Sequence, residues 1–280
     1  MSARYEHQSL VGADEPPFGA FAPRGLQALA LACARVPPFY RGFFRRPMAN
    51  LVRGLGRTRT LDVMRDGLAF RLRGAVNLIE DGILVHPAYN RVEIDFLSAG
   101  VPEGGTFVDL GANMGLYTLP LARRAGPRGR VLAVDANRDI VPALEFNIRS
   151  SGLANVSVAC VAVGERAGRA SLAIRHDDLA IVEVQEDAAG DVEIRPLLEI
   201  VRAAGLSRID ALKADIEGYE DQALVPFLRD AEPALHPRRI VIEHLGRPDW
   251  KTDLFPVFAE QGYEFVGQTR GNSLFAKRGA

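Results

Sequence analysis

The residues best suited to chemistry stand in two short segments. The first is Asp109-Leu110-Gly111-Ala112-Asn113-Met114-Gly115. The second is Lys213-Ala214-Asp215-Ile216-Glu217-Gly218-Tyr219-Glu220. Between them Asp135 closes the apolar run Val131-Leu132-Ala133-Val134, and after them Glu243 and His244 close Arg239-Ile240-Val241-Ile242. Carboxylates at strand ends accept hydrogen bonds from hydroxyl or ammonium groups, and one of them can serve as a general base. Glycines in the turn leave backbone bare, so a bulky ligand group could approach it closely.

Those segments need strands and helices to hold them. Phe107, Val108 and Leu110 suit a strand covered on both faces, and Leu116 to Arg124 carries apolar residues at helical spacing, stopped by Gly126 and Pro127. A strand, a glycine turn and a helix form the nucleotide-binding corner of doubly wound α/β proteins. The dinucleotide version needs G-x-G-x-x-G. Here the glycines are at 111 and 115, which argues for a ligand without a pyrophosphate, S-adenosylmethionine being the candidate. Asp135 stands 20 residues after Gly115, the spacing at which an acidic residue reaches ribose hydroxyls.

The chain around this centre reads as a 1–59 arginine-rich helical extension, a 60–100 hairpin with a lead-in helix, and a 101–280 ligand-binding domain. Residues 1–23 are expected to be poorly ordered. Helices are expected over Gly25–Arg35 and Phe39–Leu55, and a hairpin over Thr60–Met64 and Gly67–Leu72, with Leu78–Val85 continuing its β structure. A helix from Asn90 to Ala99 leads into the domain. Strands and helices then alternate, implying a parallel sheet. The third strand is placed at Val156–Val163, with shorter strands at Ser171–Ile174 and Ala180–Val184 around the His176-Asp177-Asp178 loop. A helix follows over Ile194–Ala204. The fourth and fifth strands, Ile209–Asp215 and Arg239–His244, are followed by helices Tyr219–Arg229 and Leu254–Gln261. Tyr263–Val266 and Ser273–Ala276 form a closing antiparallel pair.

Composition narrows the function classes. The net charge is −1, so no global field steers nucleic acid to the chain. Cys33 and Cys160 are far apart, which excludes a disulfide scaffold or zinc ribbon and suits a reducing compartment. No apolar run reaches the ~18 residues of a membrane span, and the first residues do not read as a secretory leader. A cytoplasmic protein is expected. Between Glu15 and Asp62 there is no acid, but there are eight arginines interleaved with Phe39, Tyr40, Phe43 and Phe44. That stretch reads as an amphipathic cap with a solvated arginine face, or as a docking element for an acidic partner, anionic lipid or RNA.

Taken in this order, the Asp109–Gly115 turn and the Lys213–Glu220 segment resemble the FkbM-type family of S-adenosylmethionine-dependent methyltransferases, as does the ending Gly262-Tyr263 with Asn272-Ser273-Leu274-Phe275. The likeness covers roughly Thr60 to Lys277. It implies the class I methyltransferase fold: a Rossmann-like, seven-stranded, mostly parallel sheet with helices on both faces and a reversed hairpin at one end. It implies that Asp109, Gly111, Asn113 and Gly115 surround the methionine part of the cofactor. Asp135 and Ala136 would meet the ribose, and Ala162 and Val163 the adenine. Asp215 and Glu217 would face the reacting end. The family often carries Tyr-Glu before the glycine turn; here the pair is Tyr89-Asn90, and Glu93 is the substitute at hand.

The implied reaction is methylation of a hydroxyl on a sugar or other small metabolite, with general-base assistance. Asp215 or His244 could be the base. Alternatively Asp215, Glu217 and Glu243 could hold a divalent metal such as magnesium; the metal-free reading is preferred, and Lys213 would neutralise the carboxylates. Other functions remain: an RNA or protein methyltransferase using the basic segment, or a non-catalytic binding subunit. A small-molecule acceptor is expected rather than nucleic acid, and the oligomeric state is left open, a homodimer included.

Overall fold

The computed structural model describes residues 15–74, 78–174 and 182–279. The His176-Asp177-Asp178 loop and the start of the strand expected from Ala180 lie outside the described residues, as do residues 1–14.

The central sheet has seven strands. Its parallel part is β3 (Thr106–Leu110), β4 (Arg130–Val134), β5 (Val156–Ala159), β10 (Ala211–Ala214) and β11 (Arg239–Glu243); β12 (Tyr263–Gln268) and β13 (Asn272–Lys277) form the closing antiparallel pair. Their order is β12-β13-β11-β10-β3-β4-β5. β3 and β10 are therefore neighbours at the centre, paired in register from Ala211 with Phe107 to Ala214 with Leu110. The order reverses on either side of β3, and ligands of open α/β sheets bind at such a switch point. This is the architecture that the resemblance implied.

Apolar residues alternate along the strands and seal both faces. Phe107, Val131 and Ala133 pack with α4 (Arg91–Gly100), α5 (Thr118–Ala125) and α6 (Val141–Ser150). Val108, Leu132 and Leu212 pack with α7 (Leu197–Ala203), α8 (Glu220–Asp230) and α9 (Leu254–Glu260) on the other. Neighbours in a strand point to opposite faces, so unbroken apolar runs are what a doubly covered sheet requires.

The extension comprises α1 (Gly25–Ala34), a 3-10 turn at Gly42–Phe44, α2 (Arg45–Gly54) and the hairpin β1 (Leu61–Arg65) with β2 (Leu68–Leu72). The expected single helix over Phe39–Leu55 is thus a turn and a shorter helix. Asp66 and Gly67 close the hairpin at φ 48° and 74°, values that an Asp-Gly turn supplies. Residues 15–23, expected to be poorly ordered, are instead pinned to the hairpin. Buried Arg71 donates to the carbonyls of Pro16 (2.7 Å) and Pro17 (2.9 Å). It also forms a two-pronged pair with Asp62, whose Oδ2 accepts from the amides of Gly19 and Phe21.

Three other expectations are corrected. Leu78–Val85 is a helix, α3, not a continuation of the hairpin. Adjacent residues point apart on a strand, but on a helix Glu80 and Asp81 both turn to α2, where buried Arg53 bridges them. The expected third strand, Val156–Val163, splits. Its last bond to the main sheet runs from the Asp135 amide to the Ala159 carbonyl; β6 (Ala162–Val163) then joins a second sheet of order β6-β9-β7-β8. That sheet contains β7 (Gly168–Ile174), β8 (Val182–Glu186) and the unforeseen β9 (Val192–Arg195). The helix expected from Ile194 begins only at Leu197, because Pro196 forces the residue before it to be extended.

Arg53 pairs with both buried carboxylates, and Arg53→Ala takes the cation away from Asp81 and from Glu80, which keeps the amides of Arg73 and Gly74. We expect a loss of ~3–5 kcal/mol of stability, read as a lowered midpoint in urea unfolding. A midpoint within error of the parent would show that the two acids find water instead.

Candidate functional site

Beyond the ends of β3 and β4, the chain turns twice. Gly111 leaves β3 at φ 73°, and the Gly111 and Ala112 amides both donate to the Val134 carbonyl. Asn113 follows at φ 48°, where its side chain accepts from the Met114 amide; asparagine tolerates this left-handed region better than most residues. The Asn113 amide then donates to Asp135 Oδ2 (2.8 Å), while Oδ1 accepts from the Asn137 amide (2.9 Å). Each carboxylate oxygen keeps a second lone pair, so Asp135 is held rigidly and can still accept hydrogen bonds from a ligand. Burial pushes its pKa up, against the amides that draw it down. Farther back, Asn147 bridges the Met114 carbonyl (3.0 Å) and the Arg71 amide (2.7 Å), tying the turn to the hairpin.

The glycines are bare for a different reason than expected. A Cβ on Gly111 would lie 1.8 Å from the carbonyl oxygen of Asp215, and one on Gly115 would lie 2.2 Å from Leu119 Cδ1. The protein's own packing fills both places, not a ligand.

Under the turn lies Lys213, buried, its ammonium 3.0 Å from the Gly111 carbonyl, 3.3 Å from Asp215 and 3.9 Å from Asp109. Burial alone would lower its pKa, but Asp215 and Asp109 more than reverse that, and the ammonium stays charged. Asp109 accepts from Thr118 Oγ1 (2.6 Å) and is fully buried. It supports the turn from below.

The second loop has its own anchor. Glu217 sits at φ 55°, rare for a glutamate. Glu220 accepts from the amides of Ile216 (2.7 Å) and Gly218 (3.1 Å) and from the Trp250 indole (2.9 Å). It fixes the loop that carries Asp215 and Glu217. The signal was visible as the last residue of the second segment, but nothing local says that a glutamate will bond backward rather than face solvent.

Both loops border one cavity of about 850 Å³, in the range of ligand sites, ~300–1,000 Å³. Of the twelve residues singled out from sequence, nine line it. Gly111, Asn113, Asp135 and Ala136 stand at the β3 and β4 ends with Ala162 and Val163 from β6; Asp215, Glu217 and Glu243 come from the β10 and β11 ends. The other three do not. Asp109 lies beneath the turn, Gly115 packs on Leu119, and His244 is turned to Ser273, with Nδ1 2.9 Å from Oγ. His244 follows Glu243 in an extended chain, so the two point apart. Sequence reasoning passed over Thr269 and Arg270 on the cavity wall and gave no site role to Arg45, Asn90 and Asn272. Glu93 is there as well, buried, its Oε1 accepting from Thr269 and Asn272. These residues arrive from elements distant in the chain, which no local pattern joins.

Toward β4 and β6 the cavity is lined by the apolar Val134, Ile140, Val161, Ala162 and Val163; at the β10 and β11 ends it is acidic, with Asp215, Glu217 and Glu243, while Arg45, Arg91 and Arg270 stand elsewhere on the wall. Burial, followed by the charges of Asp215, Glu217 and Glu220, raises the Glu243 pKa to about 9. Its carboxyl is therefore neutral at pH 7, a hydrogen-bond donor rather than a base. Among the described residues, no group of three or more His, Cys, Asp or Glu is arranged to hold a metal ion.

A carboxyl that holds its proton to about pH 9 when folded, against 4.5 when free, stabilises the fold fully below pH 4.5 and loses that contribution as pH rises to 9. Replacing Glu243 by Gln removes this slope. We expect the Glu243→Gln protein to gain thermal stability relative to the parent between pH 6 and pH 9. Melting curves that fall in parallel would rule out a raised pKa.

Comparison with known proteins follows this geometry. The FkbM methyltransferase domain matches residues 109–265, more than half of the chain, and takes in both loops. No curated protein matches the sequence. Similar solved structures include an rRNA methylase from Streptococcus thermophilus, 13% identical, covering 66% of this chain and 94% of that one at a TM-score of 0.40. A second is a SAM-dependent methyltransferase from Aquifex aeolicus, 15% identical, covering 67% and 87% at 0.40. A third is a SAM-dependent O-methyltransferase from Thermotoga maritima, 16% identical, covering 69% and 66% at 0.42. Among the described residues no helix is long and apolar enough to cross a membrane. With its central turn, its second loop and the strand between them all inside the matched region, the chain belongs to the FkbM methyltransferase family.

Proposed function

We propose that the protein transfers a methyl group from S-adenosylmethionine to a hydroxyl of a small polar acceptor, a saccharide being the class that suits the cavity best. The observation that carries this reading is the division of the cavity into an apolar end, a rigid carboxylate between the ends, and an acidic end. Adenine suits the apolar wall, the vicinal ribose hydroxyls suit the free lone pairs of Asp135, and a cationic sulfonium suits Asp215 and Glu217. When bound, the cofactor supplies an electrophilic methyl group.

What remains for the protein is to align the acceptor oxygen and take its proton. Of the two bases offered by the sequence, Asp215 opens on the cavity and His244 does not. Asp215 also has a fixed position, held by Lys213 at 3.3 Å and by its amide bond to the Leu110 carbonyl. Glu243, carrying its proton, can donate to an acceptor oxygen. Asn90, Glu93, Thr269 and Asn272 add polar groups that pair well with a polyol.

The acidic end disfavours an RNA acceptor, whose phosphates it would repel. Nor does the extension offer its full set of arginines to RNA. Arg53 is held inside by Glu80 and Asp81, while Arg35 and Arg59 donate to the carbonyls of Leu84 and Gly74.

Asp135→Ala removes the ribose partner and should weaken S-adenosylmethionine binding ~10-fold or more, measured by calorimetry with the melting temperature as a check of folding. Unchanged affinity would refute the ribose role. The parent protein, incubated with the cofactor and a host metabolite extract, should yield a product heavier by one methylene in mass spectrometry. Asp215→Asn should lower the rate of that product by more than it weakens cofactor binding. Product formed at the parent rate by Asp215→Asn would remove this residue from the chemistry.

A further inference from the structure

The extension carries an apolar surface that the methyl-transfer site does not use. On α1 the buried residues Leu31 and Ala34 face the body of the protein, while Leu26 and Leu29, 73% and 61% exposed, face away from it. On α2 the buried Ala49 and Val52 turn inward, leaving Leu51 and Leu55 outside at a spacing of one turn. Between the helices Phe43 is 86% exposed and Phe44 44%. Monomeric soluble proteins seldom gather so many large apolar side chains on one short segment without a partner.

The charge around these side chains is of one sign. Residues 16–61 contain no acid. Arg24, Arg41, Arg46 and Arg57 are exposed and have no carboxylate partner among the described residues. Exposed apolar side chains interspersed along the chain with unpaired arginines match the interface of a bilayer with acidic head groups, where arginines near the surface meet the anionic lipid and the apolar residues enter the acyl boundary.

We infer that α1, α2 and the Phe43–Phe44 turn form a docking face for a membrane surface that contains anionic phospholipid. A second copy of the chain fits less well, since it would bring two sets of arginines together with no acid between them. Single-stranded RNA also fits less well. Phe44 meets Phe39 and Phe43 edge to face, at 6.2 and 5.9 Å, so the rings engage one another, and leucines offer bases nothing to stack on. The face is also joined to the cavity: Arg45, next after Phe44, lies on its wall. A docked molecule would hold its catalytic cavity at the lipid surface.

The test uses the full chain sedimented with vesicles of phosphatidylcholine alone and of phosphatidylcholine mixed with phosphatidylglycerol. Binding is expected to the mixed vesicles only and to weaken as salt rises. Phe43→Glu and Arg46→Glu, both at exposed positions, should each weaken it ~10-fold or more while leaving the melting temperature and cofactor binding unchanged. No binding to the mixed vesicles, equal binding to both kinds, or binding indifferent to both substitutions would overturn the proposal. So would a dimer in solution that Phe43→Glu dissolves when vesicles do not bind, because it would assign the face to a second copy.

Discussion

Lys213 is the interaction on which the site depends. A buried ammonium is tolerated only where carboxylates and carbonyls surround it, and here Asp109, Asp215 and the Gly111 carbonyl do so. Those groups come from the ends of the two central strands. One cation therefore holds the glycine turn and the second loop at a fixed separation, and the cavity opens between them. The same contact explains Gly111: the turn and the Asp215 carbonyl come so close that no side chain fits between.

Around that cation, negative charge exceeds positive charge on the cavity side. Asp135 and Glu243 both hold their protons more tightly than free carboxyls do, Glu243 to about pH 9. Burial is the first cause in both, and repulsion from the other cavity carboxylates adds to it. A bound cation would relieve that repulsion, because a positive charge beside a carboxyl favours ionisation. The acidity at the β10 and β11 ends thus suits a cation better than a phosphate group.

Much of this was legible in the sequence. The apolar runs gave the central strands, because a doubly covered strand must be apolar throughout, and the Gly-rich turn and Asp135 marked the end of the sheet where the cavity opens. The failures have physical causes. Leu78–Val85 reads equally well as strand or helix, and the choice rests on Arg53, which lies in another element. Val156–Val163 looks continuous, yet the main sheet's pairing runs out at Ala159 and the chain changes sheets. His244 looked as available as Glu243, but strand alternation turns its ring to Ser273. The polar stretch of the cavity wall, with Arg45, Asn90, Glu93 and Asn272, is assembled from residues far apart in the chain, and only the fold brings it together.

The central claim is that this divided cavity seats S-adenosylmethionine between Asp135 and Asp215. A crystal structure of the protein grown with the cofactor tests it most directly. The account expects the ribose hydroxyls within hydrogen-bonding distance of Asp135, the adenine against Ala162 and Val163, and the sulfonium toward Asp215 and Glu217. A cofactor bound elsewhere, or lying with its sulfonium at the apolar end, would contradict it.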